Sequence, residues 1–403
     1  MLHIWPGWSE LTFTERNDAM SNITLAQFKK ILPVLRLVDI APGKGRTDRT
    51  IDVSAMSEDR DGGCADYLVI NAQDMKTDLQ IKALGVNTSN YQACVDFTKF
   101  SKLLGALKSM PSFDYECKDH TVAANALVLK SVKRTIKLDS ASLRRMNYGT
   151  REFVPYADIE HQWETARLAA GLKYVAPAMS TDETRFHLCG TLLAPNGDLV
   201  TTDGHRLHCY QYQLGVESGS KFFVSDTDTI LPRDHVLMLQ AAIKACGGNG
   251  AMVYSQRSAG WMRFVVDGGG LSFQLTCKLI DSKFPPYDQV IPKGHSARAM
   301  VNTKAFVEAA GLLGKMSDTL NKVVEFRLNG QLHLKGGGVT ESIEAPYEGE
   351  SFEYGQIGAD ARYLVDAANL PLDDFTLEFG NALEPLKISQ RGGYLAVVMP
   401  LRC

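Results

Sequence analysis

Leu199-Val-Thr-Thr-Asp-Gly-His-Arg-Leu-His-Cys-Tyr210 is the stretch on which the fold turns. An apolar strand pattern runs into Thr202-Asp-Gly-His-Arg-Leu207 and continues through His208, Cys209 and Tyr210. Asp-Gly inside such a pattern marks a turn or a close backbone approach. His205 and Arg206 follow directly and set chargeable groups beside an apolar wall, the residue chemistry of a binding or catalytic site. Upstream, Pro195-Asn-Gly-Asp198 separates the apolar runs 191–193 and 199–200. Asn-Gly between two such runs is a hairpin signal, so the stretch begins on a return strand.

The rest of the chain narrows the chemistry. Its 403 residues suffice for two to four domains with well-buried cores. Apolar and charged fractions of 45% and 22% are those of an ordinary soluble globular protein. With a formal net charge of −3, any affinity for nucleic acid has to come from a local basic surface. Eight cysteines, at 64, 94, 117, 189, 209, 246, 277 and 403, form no CxxC pair. Cys117 and His120 are three apart, but no second pair completes a four-ligand set, so no metal or cofactor is expected. The cysteines read as reduced, mostly buried thiols of a cytoplasmic protein. No apolar run reaches the length of a membrane span. The first twenty residues carry Trp5, Trp8, Glu10, Glu15 and Arg16 in place of a basic region followed by an apolar one, which argues against a signal peptide. Met20 looks like a fresh start, leaving residues 1–19 as an N-terminal extension.

Internal repetition is the main organising signal. Six amphipathic patterns of helical period recur at 25–38, 96–108, 161–175, 232–246, 302–315 and 361–370. Pro33 predicts a kink or early end in the first, Pro177 ends the third, and Pro232 and Gly247-Gly248 bracket the fourth. Strand-like runs lie between them, at 67–70, 126–130, 135–138, 262–266, 271–275, 323–328, 331–334 and 376–379. Their alternation and turn punctuation point to antiparallel pairing. Each third of the chain then holds two helices and several strands. The expected fold class is α+β, with domains at 20–156, 157–295 and 296–403.

Three motifs, in order, carry a resemblance. They are Thr202-Asp-Gly-His-Arg-Leu207, Phe284-Pro-Pro-Tyr-Asp-Gln-Val-Ile-Pro292 and the chain end Val397-Val-Met-Pro-Leu-Arg-Cys403. Together they resemble the bacterial DNA polymerase III β subunit family, the sliding clamps. In the first third the likeness rests on helix placement and on Cys94-Val-Asp-Phe-Thr-Lys-Phe100. The resemblance implies a head-to-tail homodimer closed into a ring of six similar domains, with helices inside and sheets outside. It implies a processivity factor without catalytic activity. Such a ring would encircle double-stranded DNA, tether the DNA polymerase III catalytic subunit, and also meet a clamp loader and other clamp-motif proteins.

A clamp must hold DNA without reading it, and phosphate contacts supply affinity of that kind. The expected DNA-binding set comprises Lys99, Lys102, Arg167, Lys173, Lys244 and Lys304 on the helices. Lys29, Lys30, Arg36, Lys108, Arg233, Lys315 and Arg362 share those helical patterns. The resemblance adds Lys44, Arg46 and Arg49 in a basic glycine-rich loop. It also adds Arg185 and Phe186, where His187 departs from the family's aromatic pair.

The resemblance further implies a pocket for short linear motifs with apolar and aromatic anchors. Matching positions give Leu188, Thr202, Gly204, His205, Arg206 and Leu207 for its deeper part, joined by Pro285, Val290, Val397 and Met399. Arg185, Tyr363, Leu383, Pro385, Pro400 and Leu401 would line the adjoining part. Aliphatic walls suit Leu or Phe anchors, and Gly204 allows close approach. The chain end should be ordered, burying Val397, Val398 and Met399. His205 and Arg206 have a second possible role, holding the domain together with Asp203 pairing Arg206; the two can coexist.

Two other readings stand beside this one. Asp203 and His205 could serve a hydrolase or metal-dependent enzyme as an acid–base pair or as ligands. No second acidic or His cluster accompanies them, and 267–270 and 336–338 read as turns and not as phosphate cradles. The other alternative is a clamp-like structural protein that does not encircle DNA.

Overall fold

The opening stretch folds as a hairpin, not as one continuous strand. Strand Asp198–Thr202 turns over residues 203–205 and returns as Arg206–Gln211, with Thr202 opposite Leu207 and Asp198 opposite Gln211. The Asn196-Gly197 turn makes a second hairpin with Gly190–Leu193, and Gly197 sits at φ 86°, the backbone region that glycine adopts without a Cβ clash. Leu199, Val200, Leu207, Cys209 and Tyr210 are all buried, which is why the sequence reads as an apolar run.

The structure is a computed structural model and describes residues 24–38, 50–60, 63–73, 76–84, 92–109, 111–116, 126–131, 133–140, 161–212, 227–258, 260–317, 322–381 and 383–401. Residues 1–19, the loop with Lys44, Arg46 and Arg49, the Cys117–His120 pair and the boundary near 157 lie outside them. Every strand pair is antiparallel, as the alternation predicts. Seven helical segments are described: α1 (Leu25–Lys29), α2 (Ile31–Leu37), α3 (Phe97–Ala106), α4 (Thr165–Val175), α5 (Arg233–Ala245), α6 (Thr303–Met316) and α7 (Ala361–Ala368). Several start where a short polar side chain takes up a free backbone N–H. Asp96 accepts from Lys99 N, Asn302 from Ala305 N, and Asp360 from Arg362 N.

One helix expectation is made specific and one changes. The pattern at 25–38 splits at Lys30 into α1 and α2. Pro33 has no N–H to donate to Lys29, and its ring crowds that carbonyl, so the break falls one turn upstream of the proline. The third pattern starts later than its spacing suggests. His161–Trp163 is a strand paired with Met252–Ser258, and α4 begins only at Thr165. The Trp163 indole donates to Ser255 Oγ and the Thr165 hydroxyl to Ala251 O, fixing that switch.

By internal contacts the chain forms two units. One comprises residues 1–169 and 237–279, the other 170–236 and 280–403. The first contains an eight-stranded sheet in the order Gln92–Asp96, Thr50–Arg60, Gly63–Gln73, Thr77–Leu84, Leu271–Lys278, Trp261–Gly268, Met252–Ser258, His161–Trp163. Its centre is the pairing of Thr77–Leu84 with Leu271–Lys278, which joins strands about two hundred residues apart. Ser112–Glu116, Ala126–Ser131 and Arg134–Asp139 make a separate three-stranded sheet. The second unit contains a four-stranded sheet and a nine-stranded one. In the latter, Arg206–Gln211 pairs with Tyr394–Val398, which pairs in turn with Leu386–Gln390. That register brings the opening stretch against the chain end, Leu207 opposite Val397 and Arg206 opposite Val398.

Candidate partner-docking site

Asp203 organises the hairpin tip. Its carboxylate accepts from His205 N (2.9 Å) and Arg206 N (3.1 Å) through Oδ1 and from Arg206 Nε (3.1 Å) through Oδ2. Thr202 closes the turn: its hydroxyl donates to Arg206 O (2.6 Å) and accepts from Gly204 N (3.1 Å). Gly204 has φ 89°, and a Cβ there would lie 2.8 Å from Arg185 Nη1. Glycine at this position therefore serves both the backbone turn and the approach of the Arg185 side chain. Arg185 itself is held by Asp182 at 3.0 Å.

Arg206 is a brace. Its side chain is only 10% exposed, and all three guanidinium nitrogens are engaged. Besides Nε on Asp203, Nη1 donates to Asp366 on α7 and Nη2 to Pro177 O. The guanidinium lies 4.5 Å from the centre of the Tyr363 ring, and the exposed His205 ring stacks on the same Tyr363 ring at 6.3 Å between centroids. The second role foreseen for Arg206 is thus the one its contacts support, while His205 is left on the surface. Asp203 is bound to main-chain and guanidinium donors, which leaves little of the acid–base pair that an enzyme would need. Among the described residues no group of three or more His, Cys, Asp or Glu is placed to hold a metal ion.

Beneath the hairpin, Leu188, Leu207, Phe284 and Val397 share one buried cluster with Leu192, Val200 and Ile230, and Tyr287 and Ile291 pack against it. All three motifs meet there. Several apolar side chains near the motifs in sequence remain exposed: Val290 (48%), Met399 (41%), Leu383 (76%) and Phe186 (53%). Met399 departs from expectation. Val397 and Val398 are buried, but the strand ends at Val398, and Met399 turns outward with its N–H on His205 O at 2.9 Å. Leu401 continues as a bridge to Gly358, N–H to O 2.8 Å, and Pro400 between them is half-buried. Pro285 is exposed beside buried Phe284. Pro385 immediately precedes Leu386, which lies opposite Val398, so the Leu383 turn and Met399 leave the sheet at the same end.

The site holds two groups that the sequence reading passed over. Asp198 and Tyr287 are hydrogen-bonded at 2.9 Å, and burial raises the pKa of both. His208 is fully buried, stacked on Tyr174, with Nδ1 2.8 Å from Tyr174 O. The carbonyl can only accept, so Nδ1 carries the proton. Burial lowers the His208 pKa from 6.5 to about 4. Alternation marked neither, because both faces of Asp198–Thr202 and Arg206–Gln211 are buried and Tyr287 lies in a 3₁₀ turn.

The basic set is distributed over the helices. Lys99, Lys102, Lys173, Lys244 and Lys304 are exposed, Lys304 beside Glu308 at 3.9 Å. Arg167 is half-buried with Nε 3.6 Å from Glu164. Lys29 is otherwise engaged: its ammonium donates to the Gly105 and Leu107 carbonyls at the end of α3, a cap favoured by the helix dipole. Across α1–α7 stand eleven basic residues against three acidic ones, Asp234, Glu308 and Asp366. On a chain of net charge −3 this concentrates positive charge on the helices.

Helices laid on antiparallel sheets, repeated along the chain, give it the fold of a clamp-type protein. The pattern of the family "DNA polymerase III beta subunit, central domain" matches residues 162–286. The beta sliding clamp of Pseudomonas putida is 26% identical over 352 residues, 83% of this chain and 90% of that protein. The Synechocystis beta sliding clamp is 28% identical over 257 residues, 59% of this chain and 64% of its own length. In fold, the Pseudomonas aeruginosa DNA polymerase III β subunit superposes with a TM-score of 0.72 at 20% identity, covering 94% of this chain and 99% of that one. The chain is a divergent member of the bacterial DNA polymerase III β subunit family, the β sliding clamps.

Proposed function

We propose that two copies of this chain close head to tail into a ring around duplex DNA and tether the replicative polymerase to it. The domains would be 20–156, 157–295 and 296–403, a division supported by the span of the central-domain match. The observation that carries the reading is the meeting of three distant motifs on one buried cluster, with Val290 and Met399 exposed within two residues of Ile291 and Val397, which build it. Exposed apolar groups around a packed floor suit the Leu and Phe anchors of short partner motifs. Polymerase, other clamp-motif proteins and a clamp loader would use this surface in turn, in the cytoplasm. The helices' excess of basic residues supplies sequence-independent phosphate affinity. Self-association has its own support in Leu312 and Met316, one turn apart on α6 and both exposed.

Topology tests the reading. A closed ring stays on circular duplex DNA through a high-salt wash and leaves when the circle is cut. Loss from circles at the same rate as from linear DNA would sink it, because simple phosphate binding predicts no difference between them.

A further inference from the structure

Segment 284–292 carries Pro285 and Val290 on the docking surface, yet it has little backbone framework of its own. Its one regular piece is the single 3₁₀ turn Tyr287–Gln289. The backbone bonds described for 281–292 are local: Ser282 N to Ile280 O, Gln289 N to Pro286 O and Val290 N to Tyr287 O. What fixes the segment is side chains. Phe284, Tyr287 and Ile291 point into the cluster that also holds Leu188, Leu207 and Val397. Apolar burial is non-directional, so Phe284 and Ile291 set depth but leave rotation and sliding weakly defined.

Tyr287 supplies the direction. Its hydroxyl donates to Asp198 Oδ2 at 2.9 Å and accepts from Asn196 Nδ2 at 3.0 Å, while the same Nδ2 reaches Asp198 Oδ2 at 2.9 Å. Asn196 Oδ1 in turn accepts from Asp198 N at 3.0 Å. The triangle is built on the Asn-Gly hairpin, so a rigid turn holds the acceptor in place. Asp198 is a buried carboxylate, and losing a donor there is costly. The Val290 amide is bonded to the Tyr287 carbonyl, so a shift of Tyr287 moves Val290 with it.

We infer that Tyr287, Asp198 and Asn196 are positioning residues of the docking surface, their hydrogen-bonded triangle setting where Val290 and Pro285 meet an incoming peptide. The inference rests on the docking reading above. None of the three need touch the peptide; they act through segment 284–292.

The test is a fluorescence-anisotropy titration with a short fluorescein-labelled peptide carrying Leu and Phe anchors. Tyr287→Phe removes only the hydroxyl and keeps the ring in the cluster. It is expected to weaken binding about tenfold and to speed hydrogen exchange at the Val290 amide, with retention on circular DNA unchanged. Asp198→Asn keeps an acceptor for the Tyr287 hydroxyl and should hold affinity within about twofold, whereas Asp198→Leu should lose it. Asn196→Ala, at an exposed position, serves if Tyr287→Phe fails to fold, and is expected to weaken binding about threefold. Wild-type affinity in both Tyr287→Phe and Asn196→Ala overturns the inference while leaving the docking reading intact. A wild-type protein that retains circular DNA but binds no peptide removes the docking reading, and this inference with it.

Discussion

Arg206→Ala separates a brace from a docking contact. The substitution removes three hydrogen bonds, to Asp203, Asp366 and Pro177 O, and the cation–π contact with Tyr363. Breaking a buried, paired charge costs roughly 3–5 kcal/mol when the partner stays buried. Here Asp366 is 38% exposed and rehydrates, and Asp203 keeps two main-chain donors, which lowers the estimate to about 3 kcal/mol. For a body of the second unit's size, 1 kcal/mol moves the melting midpoint by about 2–4 °C, so the expected fall is roughly 6–12 °C. Arg206→Lys keeps a charge but loses the fork and the flat stacking face, and should lose about half as much. Thermal unfolding followed by circular dichroism reads both variants. A double-mutant cycle with Asp366→Ala should show a coupling of about 1–2 kcal/mol. The reasoning fails if Arg206→Ala melts within 1–2 °C of wild type, a shift on the order of that seen for exposed pairs, while its peptide affinity collapses.

Deleting residues 399–403 removes the two backbone hydrogen bonds described for Met399 and Leu401, worth about 1 kcal/mol each, and leaves the strand Tyr394–Val398 in place. Peptide affinity should fall at least about tenfold with the dimer retained; a monomer by sedimentation would refute that division of roles. Leu312→Asp with Met316→Asp should do the reverse, giving monomers that still bind peptide, and a stable dimer would remove α6 from the interface. Reversing Lys99, Lys102, Lys173 and Lys244 together to Glu should shorten residence on circular DNA and flatten its salt dependence, and unchanged retention would count against the basic helices. His208 makes stability pH-dependent. Its folded pKa of about 4 lies below the ordinary 6.5, so the unfolded chain takes up the proton first, and stability present above pH 6.5 is lost as pH falls towards 4, by up to about 3 kcal/mol. His208→Asn should reduce the slope of melting midpoint against pH in that window, and an unaltered slope would place the acid sensitivity elsewhere.

Local signals were legible where one segment settles its own structure. Asp96, Asn302 and Asp360 announce α3, α6 and α7 because capping needs only neighbours three or fewer residues away. Asn-Gly at 196–197 announces a hairpin for the same reason. The run 161–175 carries a single helical pattern, and only the pairing of His161–Trp163 with Met252–Ser258 makes its first three residues a strand. The union of Thr77–Leu84 with Leu271–Lys278 had no signal at all, since alternation states which face is buried and not which strand lies beside it. At the site, the three motifs were legible as parts. That Arg206 braces while Met399 is displayed depends on where the last strand stops, one residue before Met399.

That last point explains how the surface stays open. Exposed Leu, Val, Met and Phe side chains would ordinarily fold back onto the nearest apolar surface. Here three of them lie one or two residues from an anchored neighbour. Val290 precedes Ile291, which packs on the cluster; Met399 follows buried Val398; Phe186 lies two residues before buried Leu188. Leu383 is held by a turn in which its own N–H donates to Asn381 Oδ1 and Glu384 accepts from Asn381 N. To bury any one of them locally, the chain would have to withdraw an anchor from the core or break the turn, at a cost of about the same size as the gain. The apolar area is therefore kept available, and a short peptide docking there as proposed would meet a surface whose ordering cost has already been met in folding. It follows that variants which loosen the anchors, at Phe284 or Ile291, should weaken peptide binding even though these side chains face away from it.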